Sequence, residues 1–351
     1  MNKHVLGLAV GAVVGLVCAG ARTEARQAAQ SPAAPGRGQQ PPAAPAPQSR
    51  GVSQPNADAE VHTLHVQGNV YMLVGAGGNI TLQIGDDGVL LVDTGLAQNV
   101  DKVVAAVRAL SDKPIRYIVN THAHPDHVGG NDAIGKLGST IAGGNVGAGA
   151  GVGAGIIAHE NVLNRMSAPT GKQAPFPATA WPTDTYVTKQ KELYFNGESL
   201  QIIHQPAAHT DGDSIVYFRK SDVISAGDLY VTTTYPFIDE ARGGHINGII
   251  AALNNLLDIA IPKAMQEGGT YIISGHGRLT DEADLLEYRD MITIIRDRVQ
   301  DGVKRGQTLE QVKAGKPTLD YDARWGATTG FWTTDMFIEA VYKELKAKKS
   351  P

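Results

Sequence analysis

Apolar and polar residues alternate from Val61 to Val66, and three nearly continuous apolar runs follow, Val70 to Val74, Ile80 to Ile84 and Val89 to Val92. Short runs of aliphatic and β-branched residues bounded by turn residues read as strands. Gly75 to Gly78 and Asp86-Asp87-Gly88 join them, so the pattern predicts antiparallel hairpins. The period then lengthens. Val100, Val103, Val104, Val107 and Leu110 recur at helical spacing, as do Ile246, Ile249, Ile250, Leu253, Leu256 and Leu257. Short β-rich segments lie between these two stripes, at Ile115 to Asn120, Leu200 to Ile203, Ser214 to Phe218 and Asp222 to Ser225, and another follows the second stripe at Tyr271 to Ile273. Strands followed by a helix, twice over, predict an α/β sandwich.

From Thr280 the pattern is helical. Leu285, Met291, Ile292, Ile295, Val299 and Val303 form one stripe, and Thr308-Leu309-Glu310-Gln311 has the capping-box spacing that opens a helix. Thr333 or Thr334 is the expected cap of a last helix through Phe337, Val341 and Leu345. Trp325, Phe331 and Trp332 lie between; the first expectation for them is packing, with a pocket wall or a dimer contact as alternatives.

The two ends and one internal stretch break this regime. Lys3, the short apolar run Val5 to Val17 and Ala19-Gly20-Ala21 have the layout of a cleavable secretory leader over residues 1–21. The run is too short for a comfortable membrane span, so the expectation is a periplasmic or secreted protein with no stable span after cleavage. Residues 22–58 are rich in Ala, Pro, Gln and Gly and expose too little apolar surface to fold, which predicts a disordered linker. Residues 59–280 then form the main domain, with a Gly/Ala-rich insertion at 142–155, and 281–351 a helical extension. The insertion lacks the strand, lysine and helix context of a phosphate-binding loop. Cys18 is the only cysteine, so the folded domain has neither a disulfide nor a thiolate ligand. A net charge of −4 over 351 residues argues against nucleic acid as a principal partner and leaves a small molecule as the expected one; it says nothing about oligomeric state.

The chemistry concentrates in His122-Ala123-His124-Pro125-Asp126-His127, directly after a predicted strand. Imidazole and carboxylate are nitrogen and oxygen donors for a metal, and packing rarely asks for three histidines and an aspartate in six residues. Later ligand types also sit at strand ends: His209 in Ala208-His209-Thr210-Asp211, Asp228 after Ala226-Gly227, and His276 between Gly275 and Gly277. Asp93 closes Leu90-Leu91-Val92-Asp93. His62, His65, His159 and His204 read as strand or surface residues, and His245 borders the same region as a weaker candidate.

These five elements, in this order from about Val61 to Leu279, resemble the metallo-β-lactamase superfamily of metal-dependent hydrolases. The resemblance implies the αββα fold, two sheets face to face with helices outside and metals at one sheet edge. It implies that His122, His124 and His209 hold one metal and Asp126, His127 and His276 a second, with Asp228 bridging. Asp93 would orient an imidazole rather than bind. Asp126 is in addition the candidate catalytic proton acceptor. Two Zn²⁺ per chain are expected, while iron and manganese accept the same donors. Such a pair lowers the pKa of a shared water, and the hydroxide attacks a carbonyl.

The donor set is closer to glyoxalase II and the lactonases than to lactamases with a cysteine at the bridging position. Leu229-Tyr230-Val231 follows Asp228 with no lysine to meet a lactam carboxylate, though Arg242 or Lys189 could supply a cation and Tyr230 could contact substrate. The expected activity is therefore exported hydrolysis of a small ester, thioester, lactone or lactam. A class B β-lactamase-type antibiotic hydrolase is one alternative; an iron-dependent oxidoreductase acting on a sulfur compound is the alternative from another class.

Overall fold

The computed structural model describes residues 60–140, 153–168 and 173–347. The leader, the linker and most of the Gly/Ala-rich insertion lie outside the described residues. The first sheet contains β1 (His62–Gln67), β2 (Val70–Val74), β3 (Ile80–Gly85), β4 (Gly88–Val92), β5 (Ile115–Val119), β6 (Gly155–His159) and β7 (Asp184–Tyr186), in that spatial order. Its first four strands pair antiparallel, as the hairpin pattern predicts, and β4 to β7 run parallel. The second sheet contains β8 (Gln190–Phe195), β9 (Glu198–His204), β10 (Ser214–Phe218), β11 (Val223–Ser225), β12 (Tyr271–Ile273) and β13 (Leu279–Asp281), stacked in the order β13-β12-β11-β10-β9-β8.

Alternate side chains of a strand point to opposite faces. Leu90 and Val92 of β4 meet Leu200, Ile202, Val216 and Phe218 in the core between the sheets. Val89 and Leu91 turn the other way, against Val103 and Val107 of α1 (Val100–Leu110) and Ile134, two helices further along the chain. Burial on both faces explains why β4 is apolar throughout rather than alternating.

The helices in chain order after α1 are α2 (Pro125–Val128), α3 (Asn131–Leu137), α4 (Glu160–Ser167), α5 (Ile246–Ile259), α6 (Glu282–Lys304), α7 (Leu309–Ala314), α8 (Asp322–Trp325) and α9 (Thr334–Ala347). The outer face of the second sheet, with Ile203, Ile215, Ile224 and Ile272, shares one apolar core with α5, α6 and α9. The C-terminal helices are thus the fourth layer of the αββα sandwich. Thr308 and Gln311 form the predicted capping box, and the Thr333 hydroxyl accepts from Met336 N at the start of α9. No helix among the described residues is long and apolar enough to cross a membrane.

Strand direction places the chemistry. In the first sheet β4, β5 and β6 are parallel, so the chain after Val92 and after Val119 emerges at one edge. In the second sheet β9 and β11 both run antiparallel to β10, and β12 runs parallel to β11. The loops after His204, Ser225 and Ile273 therefore also share an edge. Asp93, His122 to His127, His209, Asp228 and His276 all follow one of these strand ends. The Gly/Ala-rich insertion is flanked by Ser139 and Gly153, which pair with each other beside Ile115 at the opposite end of β5. Its last residues, from Gly153, are drawn into the sheet, and Gly155 opens β6.

Candidate metal centre

Pro125 supplies the first turn of α2, where its fixed φ suits a helix start and its missing N–H costs nothing. His122 and His124 therefore precede a helical turn that carries Asp126 and His127. The turn is held by His127 N donating to His124 O at 3.0 Å, and Gly78 N donates to Asp126 O at 3.0 Å. The His209 loop is tied by Asp213, whose carboxylate accepts from Thr210 N and Thr210 Oγ1, each at 2.7 Å. Asp228 sits on a short 3₁₀ turn, Gly227–Leu229. Glycine is required beside it: a Cβ on Gly275 would run into Asp228 Oδ1, and one on Gly78 into the His127 ring.

Seven side chains converge from these loops. His122, His124, His209 and Asp228 form one group and Asp126, His127 and His276 another, with the donor atoms of each group within 4.8 Å of one another. Asp228 faces both. Its Oδ2 lies 4.0 Å from His122 Nε2 and 3.8 Å from His209 Nε2, whereas its Oδ1 lies 3.2 Å from His127 Nε2 and 3.5 Å from His276 Nε2. All are buried except His276, whose side chain is 24% exposed and forms the open side.

Hydrogen bonds on the far side of four rings fix which nitrogen faces inward. Asp93 Oδ2 accepts from His127 Nδ1 at 2.7 Å and from Thr121 Oγ1 at 2.7 Å. With its own proton committed to Asp93, the Thr121 hydroxyl accepts from His122 Nδ1 at 3.0 Å. His209 Nδ1 donates to Phe237 O at 2.6 Å, and His124 Nε2 donates to Asp239 Oδ2 at 2.9 Å. The remaining nitrogens are bare lone pairs. Two of them, His124 Nδ1 and His209 Nε2, point at each other across 2.9 Å. Two lone pairs repel at that distance unless a cation lies between them. His122 Nε2, His127 Nε2, Asp126 Oδ2 and Asp228 Oδ1 are likewise buried without a hydrogen-bond partner, a costly state for polar atoms. The donor set therefore fits metal ions in chemistry and in number of unused lone pairs.

Electrostatics divides the rings the same way. Burial, reinforced by the neighbouring imidazoles, holds His122 well below the usual histidine range, and burial with His124 holds His209 down to about 4. Both are neutral ligands at pH 7. Burial also depresses His127 and His276, but the carboxylates outweigh it: Asp228, Asp126 and Asp93 raise His127, and chiefly Asp228 raises His276, to about 9. That half of the site concentrates negative charge and favours a cation.

Asp239 is the main site residue that sequence reasoning missed. It accepts from Arg242 Nη1 at 2.6 Å while it holds His124. In the sequence it is one acid three residues before an arginine, indistinguishable from a surface pair. Asp93 does hold an imidazole and has φ +65°, a backbone strained for a non-glycine residue and typical of functional loops. Arg242, one of two suggested cations, approaches the His124 ring; Lys189 is exposed in the β7–β8 connection. Tyr230, suggested as a substrate contact, is instead 2% exposed in the core against Tyr288. His245 caps α5 by accepting from Asn247 N, and His159 and His204 stack on each other outside the donor groups. Of the three C-terminal aromatics, Trp325 is core, while Phe331 and Trp332 line a cavity whose floor is Asp228 and His276.

Comparison with known proteins agrees with this geometry. The metallo-beta-lactamase superfamily profile matches residues 73–276. A linear primary-alkylsulfatase from Pseudomonas sp. (strain ATCC 19151) is 27% identical over 260 residues, covering 64% of this chain and 47% of the relative. The stereoselective inverting sec-alkylsulfatase Pisa1 from Pseudomonas sp. superposes with a TM-score of 0.59 at 18% identity, over 81% of this chain and 50% of that one. A metallo-beta-lactamase from Hirschia baltica superposes with a TM-score of 0.50 at 19% identity, over 67% of this chain and 98% of that one. The chain spans about half the length of the alkylsulfatases it matches, and at these identities the solved structures speak to the fold alone. The chain belongs to the metallo-β-lactamase superfamily of metal-dependent hydrolases.

Proposed function

We propose that the protein is a dinuclear zinc hydrolase of esters, with alkyl sulfate esters the substrate class to test first. The observation that carries the reading is the pair of donor groups with inward lone pairs joined by the two oxygens of Asp228. His122, His124 and His209 would hold one ion, Asp126, His127 and His276 the other, with Asp228 between. When bound, the ions supply Lewis acidity and an activated water. The protein's part is orientation and proton transfer. Asp93, Thr121, Asp239 and the Phe237 carbonyl hold four imidazoles in the required tautomer. Asp126 Oδ2 lies 3.1 Å from His276 Nε2; burial raises its pKa, but His127 and His276 outweigh that and keep it ionised, so it can accept the proton that water gives up. Hydrolysis transfers the water oxygen to sulfur or carbon, breaks the ester bond, and returns a proton to the departing oxygen.

The sulfate preference rests on the similarity to the linear primary-alkylsulfatase. The carbonyl esters, thioesters and lactones expected from the sequence remain within the same chemistry, since the residues named above would act on either centre. Export to the periplasm or outside is proposed on the leader pattern alone.

The test is elemental analysis of natively expressed protein together with an assay of octyl sulfate, nitrophenyl octanoate, an acyl-homoserine-type lactone, a glutathione thioester and a nitrocefin-type lactam. Close to two zinc ions, and ester cleavage at least about tenfold above lactam cleavage in kcat/KM, are expected; tenfold is roughly 1.4 kcal/mol of transition-state preference. Efficient lactam turnover with little on the others would replace this reading with an antibiotic hydrolase. Iron as the native metal with no hydrolysis would replace it with the oxidoreductase.

A further inference from the structure

The cavity above Asp228 and His276 has a volume of about 260 Å³. Its walls come from two distant parts of the chain. Val231 and Phe237 lie in the loop after Asp228, and Thr329, Phe331 and Trp332 in the segment between α8 and α9. Phe237 packs edge-on against Phe331 at 4.8 Å and Trp332 at 4.9 Å. Trp332 Nε1 donates to Pro236 O at 3.1 Å, which pins the C-terminal segment to the metal-side loop. Ala327 and Thr334 close the base of that segment through two reciprocal hydrogen bonds. Phe237, Phe331 and Trp332 are only half-buried, so each still presents ring surface to the cavity. Among the lining residues only Asp228 and His276, at the floor, can ionise. Besides them the polar side chains of the lining are the hydroxyls of Thr233, Thr234 and Thr329, so a charged arm finds no opposite charge there.

We infer that Phe237, Phe331 and Trp332 form a specificity pocket for an uncharged alkyl arm of the substrate. The inference deepens the ester-hydrolase reading and rests on it for the identity of the reacting group. At about 30 Å³ for a water-sized group, the cavity holds roughly eight or nine heavy atoms. The arm lies under a roof that the C-terminal segment supplies, and the reacting ester sits at the floor. Phe331 and Trp332 thereby set chain-length preference without touching the donor groups.

The experiment measures two quantities on the zinc-loaded full chain. The first is kcat/KM for n-alkyl sulfates from four to twelve carbons. The second is the affinity for straight-chain 1-alkanols of the same lengths, read by calorimetry and tryptophan fluorescence, which needs no turnover. Both are expected to rise up to fourfold per added methylene to about eight carbons and then level off. Phe331→Ala should flatten both series, mainly through KM. Phe331→Leu, which keeps an apolar wall, should restore most of the slope and guards against misfolding of the alanine variant. Alkanol affinity that climbs with length, and flattens in Phe331→Ala, supports the pocket even if no ester is cleaved; that result would remove only the ester reading. Alkanol affinity independent of length in the native protein overturns the pocket, whatever the enzyme hydrolyses.

Discussion

The carboxylate of Asp239 shows how much a single side chain outside the donor groups can decide. It fixes His124 with Nδ1 inward, and the hydrogen bonds from His124 and Arg242 keep it ionised and in place. Partners of this kind typically change metal affinity by ten- to a hundredfold. Asp239→Asn can present its amide nitrogen to the ring and so favour the wrong tautomer. The expected outcome is a ten- to a hundredfold weaker affinity for one of two ions, with an unchanged circular dichroism spectrum. Competitive titration with a chromophoric chelator reads this directly; two sites of native affinity in the variant would show that Asp239 does not orient the ring. Gly275 makes the complementary point about space. A methyl group there collides with Asp228 Oδ1 and with the backbone of Gly227, so neither neighbour can yield cheaply. Gly275→Ala should lower hydrolysis by at least about a hundredfold and cut bound metal toward one equivalent. Native activity in that variant would mean that Asp228 does not occupy the position described. The sequence displayed the donor types but not these supports, because a lone aspartate or glycine in a loop has many commoner uses.

Among the elements, legibility followed burial. The strands β2, β3 and β4 and the helices α1 and α5 matched their apolar runs closely, because each buries a full face and the side-chain period is then dictated by the core. The Gly/Ala-rich stretch was read too long at its C-terminal end, since Gly155 is strand by pairing with β5 despite its low β propensity, ahead of Ile156 and Ile157, which favour a strand. The ends of β6 and β9 hold a further device that no periodicity could reveal. His159 and His204 stack with ring centroids 3.6 Å apart and planes 2° from parallel. Burial, then the neighbouring ring, lowers His159 to about 4, and burial lowers His204. The unfolded chain binds protons at these rings below about pH 6.5, whereas the folded chain excludes one from His159 until about pH 4. Their contribution to stability is therefore complete above pH 6.5 and is lost as pH falls through that window. His159→Asn keeps an acceptor for Asn161 N at the start of α4 but removes the titration. Its Tm should fall less steeply than that of the native protein between pH 6.5 and 4, measured by calorimetry at constant ionic strength. Parallel Tm curves would exclude the stacked pair as a source of acid sensitivity.

At the scale of the whole molecule, the two sheets meet at the edge where the donor loops gather, so ions held there would couple their binding to folding. Residues from the first sheet, His122 to His127, and from the second, His209, Asp228 and His276, share the same centre. The superfamily and its layered fold were legible because five motifs in order constrain the topology, whereas the role of the C-terminal helices was not. The expected C-terminal extension is helical, and α6 and α9 complete the core over the second sheet, a placement that a stripe of apolar residues does not announce because it does not say what it will cover. The coupling makes a quantitative expectation. An ion that binds only the folded state stabilises it by RT ln(1 + [L]/Kd), about 2.7 kcal/mol at a hundredfold excess over Kd. Two such ions contribute roughly 5 kcal/mol, a shift in Tm on the order of 10 °C for a domain of this size. Without them the facing lone pairs of His124 and His209 and the crowded carboxylates of Asp126 and Asp228 must find protons instead, which relieves only part of the repulsion. Chelation should therefore lower Tm by about that amount, and stoichiometric zinc should restore it together with hydrolysis. The expected titration curve breaks near two equivalents. A Tm that chelation leaves unchanged, or a break at one equivalent with full activity, would show that the two sheets are not joined through a pair of ions.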